Sequence, residues 1–297
     1  MNTEDISPRY LDLDLWENIE ALKALHESQL TAVGVVAQAL PAMAAAVDDA
    51  IPRLRAGGRL IYAGAGTSAR IAVQDGAELG PTFGWPSDRL AFAIAGGEDA
   101  LLRAIENAED SNADGSTRIK ELEVGLNDIV LGLAASGETP FTVSVVEAAR
   151  ARGALTIGVA NNAGSHLLRV SEHPILVETG AEPVAGSTRL KAGTAQKVVL
   201  NLFSTLVMVR LGKVYRALMV DMRPTNDKLR RRAVQMVSSL ALCDEPVAAA
   251  ALVTAEGHVK LAALIARGLH VDDARALLAQ TDGNLRSAVA ALQERSS

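Results

Sequence analysis

A chain that carries Arg59-Leu60-Ile61-Tyr62-Ala63-Gly64-Ala65-Gly66-Thr67-Ser68-Ala69-Arg70 has few ways to fold there. Residues 59–63 have the β-branched and aromatic content of a buried strand. Gly64 and Gly66 let the backbone turn tightly and approach a ligand, and helical spacing resumes from Thr67. The stretch therefore reads as strand, turn and helix start. The first amides of such a helix lack partners and together carry about half a positive charge, so an anion such as a phosphate monoester is the expected guest. Gly66, Thr67 and Ser68 are its candidate contacts. Residues 64–69 also satisfy the dinucleotide pattern G-x-G-x-x-G/A, so this loop alone leaves two readings open.

A second loop separates them. Asp128-Ile129-Val130-Leu131-Gly132-Leu133-Ala134 is another strand, running into Ala135-Ser136-Gly137-Glu138-Thr139-Pro140, with a helix expected from Phe141. Two hydroxyl-rich loops at strand ends suit a compact sugar phosphate better than an extended dinucleotide, and they add Ser136, Gly137 and Thr139 to the candidate phosphate contacts. A dinucleotide site would also need a ribose-binding acid about 20 residues past the glycines at a strand end, whereas Asp88 sits in a Pro-Ser-Asp loop. Helix capping, at about 1 kcal/mol per residue, is the plainer explanation for Ser68, Ser136 and Thr139. Two such loops on one sheet edge favour phosphate.

The rest of the chain supplies that sheet. Strand patterns near 59–63, 90–95, 128–134, 154–159 and 174–178 alternate with helical ones near 67–79, 105–110, 114–122 and 141–152. Such alternation predicts an α/β fold with a doubly wound, parallel, five-stranded sheet, whose ligands sit beyond the carboxyl ends of the strands. Three regions follow: residues 1–56 as a helical lead-in packed on the core, 57–243 as the sugar phosphate-binding domain, and 244–297 as a small C-terminal domain. That last region carries three expected helices near 258–267, 271–280 and 284–293. Gly186-Ser187-Thr188-Arg189-Leu190-Lys191 is a further hydroxyl-bearing turn with two cations, opening a long helix.

Charge and composition remove other classes. The net charge of -6 gives no electrostatic footprint for nucleic acid, and the single Cys243 excludes an intramolecular disulfide and C-x-x-C metal motifs, as in a reducing cytosol. The five histidines show no ligand spacing, so no metal is expected. The acidic start Met1-Asn2-Thr3-Glu4-Asp5 does not read as a secretory signal, and the apolar run 198–209 is too short to span a bilayer; it suits a core or a subunit seam. Two carboxylates attract notice, Glu78 on the helix that starts in the first loop and Glu109 in Glu106-Asn-Ala-Glu109-Asp110. Spacing alone leaves both readable as solvated acidic surface.

Taken together, Gly64-Ala-Gly-Thr-Ser68, Asp75-Gly-Ala-Glu78 with Pro81-Thr-Phe-Gly84, the Glu106–Asp110 motif, Ala134-Ala-Ser-Gly137, GSTRLKAGTAQK at 186–197 and Met219-Val-Asp221 resemble the N-acetylmuramic acid 6-phosphate etherases, which carry a sugar isomerase (SIS) domain. The resemblance spans nearly the whole chain and likens residues 244–297 to a small UBA-like helical domain. It implies a cytoplasmic homodimer that cleaves the D-lactyl ether of N-acetylmuramic acid 6-phosphate in cell-wall sugar recovery, with no cofactor, metal, membrane or nucleic acid. It further implies Glu109 as the base at C2 and Glu78 as the acid on the leaving lactyl oxygen. Ser187, Thr188, Arg189 and Lys191 are candidates for the lactyl carboxylate or the phosphate. The alternatives are a noncatalytic sugar phosphate sensor and a phosphosugar isomerase. Ala69, Leu79-Gly80, Ser7 and Glu138 depart from the family pattern, and Glu138 matters most, since a carboxylate beside a phosphate loop would oppose a dianion.

Overall fold

The computed structural model describes residues 2–295 except Ala104, Glu106 and Thr225. Five strands, β1 (Leu60–Gly64), β2 (Leu90–Ile94), β3 (Ile129–Ala134), β4 (Leu155–Ala160) and β5 (His173–Leu176), pair in parallel in the order β2-β1-β3-β4-β5. Every residue of β1, β3 and β4 is buried, which is why these segments read as continuous apolar runs and not as alternating ones. Chain order reverses between β1 and β3, which lie side by side with Gly64 opposite Leu133. Their carboxyl ends therefore form the sheet's switch point, and both glycine-hydroxyl loops leave from it.

Helices α1 (Asn18–Val35) and α2 (Leu40–Arg55) lead in, joined by a 3-10 turn, with Pro41 in the first turn of α2 where its missing N–H costs nothing. Between strands run α3 (Gly66–Phe83), α4 (Asn112–Glu121), α5 (Pro140–Ala151) and α6 (His166–Val170), and α7 (Lys191–Arg210) follows β5. Ile61, Ala63 and Val130 of the sheet pack with Ile119 of α4 and with Phe141 and Val145 of α5. Each large apolar side chain so buried contributes about 1.5–3 kcal/mol.

By compactness the chain divides into Met1–Gly76 with Ser87–Ser204, which holds the sheet, and Ala77–Pro86 with Thr205–Ser297. The second unit contains a hairpin, β6 (Val214–Tyr215) and β7 (Leu218–Met219). Its two turn residues, Arg216 and Ala217, have φ of 49° and 62°, a two-residue turn whose twist matches its strands. Then come α8 (Asp227–Ala241), α9 (Glu245–Thr254), α10 (Val259–Ile265), α11 (Val271–Gln280) and α12 (Leu285–Arg295). Met236, Val237 and Leu240 of α8 share one core with Leu252, Leu261, Leu264 and Leu277, so residues on both sides of 244 belong to it.

Three local expectations change. A fourth C-terminal helix, α9, precedes the three expected, because its EPVAAAALVT sequence is apolar on every side and gives no helical period. The helical stretch expected over 105–110 is a 3-10 turn at Ala108–Asp110 among the described residues; Asn107 stands before it at φ 58°, a left-handed conformation that a helix interior excludes. Residues 18–55 and α7 are long and apolar enough to cross a membrane by length and composition. In this fold α7 instead buries Val199, Leu200, Phe203, Val207 and Met208 within the chain.

Candidate active site

The first loop is shaped by two glycines for different reasons. A Cβ on Gly64 would stand 3.1 Å from the Ala69 amide and 3.2 Å from the Leu133 carbonyl, so its smallness permits the close approach of α3 to β3. Gly66 has open space around its Cα but a φ of +52°, so its need is conformational. Ala69, where glycine was the family pattern, is buried with its N–H donating to Ala65 O at 3.2 Å. Thr67 is half-buried and its hydroxyl has no partner among the described residues. Ser68 is buried, and its hydroxyl donates to Gln196 Oε1 at 2.9 Å.

The second loop is built the other way round. Gly137 has φ +70°, and a Cβ there would meet Ser165 Oγ at 2.1 Å. Its carbonyl accepts from Leu167 N–H at 2.9 Å. Ser136 Oγ accepts from Glu138 N–H at 3.1 Å, which leaves its own proton unspent. Thr139 stands at the N-cap of α5 but makes no side-chain cap bond, so the capping explanation does not hold for it. Pro140 follows and opens α5 beside a loop with two hydroxyls that still have protons to give. Glu138 turns away from that role: its Oε1 accepts from His166 N–H at 2.8 Å, at the start of α6. The carboxylate expected to oppose a dianion thus has a backbone donor of its own, the first amide of α6.

Lys191 is buried, with Nζ donating to Thr179 O at 2.6 Å. Beside it Glu182, fully buried, accepts from the N–H groups of Lys191 (2.9 Å) and Ala192 (2.9 Å), so a carboxylate of this chain occupies the start of α7. Burial, the larger influence, lowers the Lys191 ammonium below its ordinary value, against the attraction of Glu182. Ser187 and Thr188 are half-buried, and Arg189 is exposed with no ion pair among the described residues. The turn they form is strapped from outside: Gly186 N–H donates to Thr3 O at 3.1 Å, Thr3 N–H to Asn162 Oδ1 at 3.1 Å, and Asn162 Nδ2 to Thr3 Oγ1 at 3.1 Å.

Of the two carboxylates, Glu78 is exposed on α3, the helix that begins at the first loop, and Glu109 is exposed in the turn Ala108–Asp110 after β2. Glu106 of the same motif lies outside the described residues. Asp75, one turn before Glu78, is buried; Tyr62 Oη donates to its Oδ2 at 3.0 Å and Lys197 Nζ stands 4.0 Å from Oδ1. Burial is the largest influence on Asp75 and raises its carboxyl above the ordinary value, outweighing the opposing bonds from Tyr62 and Ser204 and the charge of Lys197. Among the described residues no cluster of three His, Cys, Asp or Glu side chains could hold a metal ion.

Sequence reasoning passed over Gln196, Asn161, Glu182 and Thr3. A faint signal existed for Gln196, which lies with Ala192, Ala195 and Val199 on the buried face of α7, where a polar side chain must find partners.

Residues 42–150 match the glucokinase regulatory protein N-terminal SIS domain, and residues 120–206 match the SIS domain. An N-acetylmuramic acid 6-phosphate etherase of Deinococcus radiodurans is 46% identical over 96% of this chain and 93% of its own length. Another, of Rubrobacter xylanophilus, is 46% identical over 97% and 95%. In fold, the chain is similar to a phosphoheptose isomerase from Francisella tularensis, with a TM-score of 0.50 and 19% identity over 65% of this chain and all of that one.

Proposed function

The chain belongs to the N-acetylmuramic acid 6-phosphate etherase family, and from that premise we propose that it is a carbon–oxygen lyase. It eliminates the D-lactyl group from N-acetylmuramic acid 6-phosphate and then hydrates the product to N-acetylglucosamine 6-phosphate, in cell-wall amino sugar recycling. The observation that carries this reading is near-full-length identity to named etherases together with two hydroxyl-rich loops at one sheet switch point.

The chemistry follows from the substrate. An ether oxygen leaves poorly, but the ring-opened sugar has a C1 aldehyde that acidifies the C2 proton. Glu109 takes that proton, the electron pair forms the C2–C3 double bond, and the C3–O bond breaks as Glu78 protonates the lactyl oxygen. Glu78 then takes a proton from water adding at C3, and Glu109 returns one to C2. One base and one acid, each worth about 10² to 10⁴ in rate, account for the step. The phosphate is held by Ser136, Gly137 and Thr139 with the amides that begin α5, and by Gly66, Thr67 and Ser68 at the start of α3. Exposed Arg189, with Ser187 and Thr188, is the candidate for the lactyl carboxylate. The ammonium of Lys191, bonded inside the chain, is a strut for that turn.

Two further parts of the reading concern the assembly. A carboxyl that serves as an acid near neutral pH needs cover from water, and in a single chain Glu78 is exposed. Bound substrate and a second copy are the available covers. Ile19, Leu22, Leu30, Val33 and Leu40 are all more than 45% exposed along the first two helices, an apolar face that suits a homodimer. A cytoplasmic sugar phosphate enzyme is the setting that fits.

The test is proton exchange at C2. In deuterated water the product should carry deuterium at C2, and Glu109→Gln should lose both exchange and turnover. Exchange that persists in that variant removes Glu109 from the role of base. Isomerised sugar without lactate would place the chain among the isomerases.

A further inference from the structure

The hydroxyl of Ser68 ends a buried chain of hydrogen bonds whose direction is fixed from its far end. Val177 O can only accept, so the group of Asn161 that meets it at 3.0 Å is the amide Nδ2. The Asn161 Oδ1 therefore faces Gln196 and accepts from its Nε2 at 3.1 Å. That turns Gln196 Oε1 toward Ser68, and the 2.9 Å contact between them leaves Ser68 as the donor. The three side chains are at most 8% exposed, so water does not compete for these bonds. With its one proton committed, Ser68 Oγ can offer the site only lone pairs. A phosphate dianion also offers only lone pairs, and two acceptors repel.

Building on the phosphosugar reading above, we propose that Ser68 divides its duties: its backbone amide serves the phosphate, while its hydroxyl accepts a hydrogen bond from a donor of the sugar, a hydroxyl or the acetamido N–H. Gln196 is the positioning residue that sets this polarity, and Asn161 sets Gln196. The second loop has the opposite character, since Ser136 and Thr139 retain protons for phosphate oxygens. The second loop thus offers two hydroxyl donors, whereas the first keeps one in Thr67 and turns Ser68 to accept from the sugar.

The test separates the two ligand parts by using inorganic phosphate alone alongside the full substrate. Ser136→Ala should weaken inorganic phosphate about tenfold by calorimetry, whereas Ser68→Ala should leave it within twofold and raise the KM for lactate release about tenfold, one hydrogen bond's worth. Gln196→Met keeps the bulk but frees the Ser68 proton. It should raise KM with kcat within threefold and leave inorganic phosphate bound as tightly as in the wild type, or more tightly. The proposal is overturned if Ser68→Ala weakens inorganic phosphate as much as Ser136→Ala does, or if it leaves KM unchanged. Should Ser68→Ala fail to fold, Gln196→Met decides alone, and a loss of phosphate affinity in it overturns the proposal. If wild-type protein releases no lactate, the etherase reading fails while the inorganic phosphate measurements still decide the polarity of Ser68.

Discussion

The loops after β1 and β3 share glycines, hydroxyls and a following helix, yet they are wired in opposite senses. In the second, Ser136 takes a bond from a residue two positions on and Thr139 takes none at its cap, so both hydroxyls remain available. In the first, Ser68 is tied to Gln196, 128 positions away, and through it to Asn161. Similar local sequence therefore leaves the Ser136 proton free in one place and the Ser68 proton committed in the other. Donor capacity at a loop is decided by what lies behind it.

The largest effects should come from outside both loops. Glu78→Gln or Glu109→Gln is expected to lower lactate release by about 10² to 10⁴, far beyond the roughly tenfold effects of single loop hydroxyls. If a loop substitution matched them, the loops would be doing more than binding. Next in size is the difference between the two positive-φ glycines. Gly137→Ala combines left-handed strain with a clash against Ser165 and should cost about 2–4 kcal/mol in chemical denaturation. Gly66→Ala meets nothing and should cost about 1–2 kcal/mol. Equal costs would mean that the two turns are not distinguished by packing. Glu138→Ala removes the cap at His166 and should lose about 1 kcal/mol without weakening phosphate binding. Tighter phosphate binding in that variant would show that the carboxylate does oppose the anion.

A smaller effect lies in pH dependence. The Asp75 carboxyl is raised from its ordinary 3.8 by burial, so the folded chain holds this proton more tightly than the unfolded chain does. Stability should therefore fall as pH rises from about 3.8 through the raised value, and Asp75→Asn should remove that part of the slope. Denaturant midpoints between pH 4 and 7 for the two proteins would read it. Parallel slopes would mean that the carboxylate is compensated within its pocket.

Much of this was legible in the residues. The three central strands announced themselves because burial on both faces leaves uninterrupted apolar runs, the two edge strands by their alternation with helical stretches, and the two loops because glycine and hydroxyl residues cluster at strand ends. What stayed hidden was of two kinds. Some of it is long-range: the Ser68 to Gln196 bond, the Glu182 carboxylate at the start of α7, and the Thr3 strap on Gly186 join residues that no spacing rule connects. The rest is weakly patterned, as in α9, where alanines leave no amphipathic period, and in the turn around Asn107, whose left-handed backbone breaks a stretch that otherwise counts as helical.

The most direct measurement is D-lactate release from N-acetylmuramic acid 6-phosphate by wild type and by Glu78→Gln under the same conditions. Stoichiometric D-lactate with N-acetylglucosamine 6-phosphate from the wild type, and none from the variant while its C2 proton still exchanges, is the predicted result. Lactate from Glu78→Gln at the wild-type rate would contradict it.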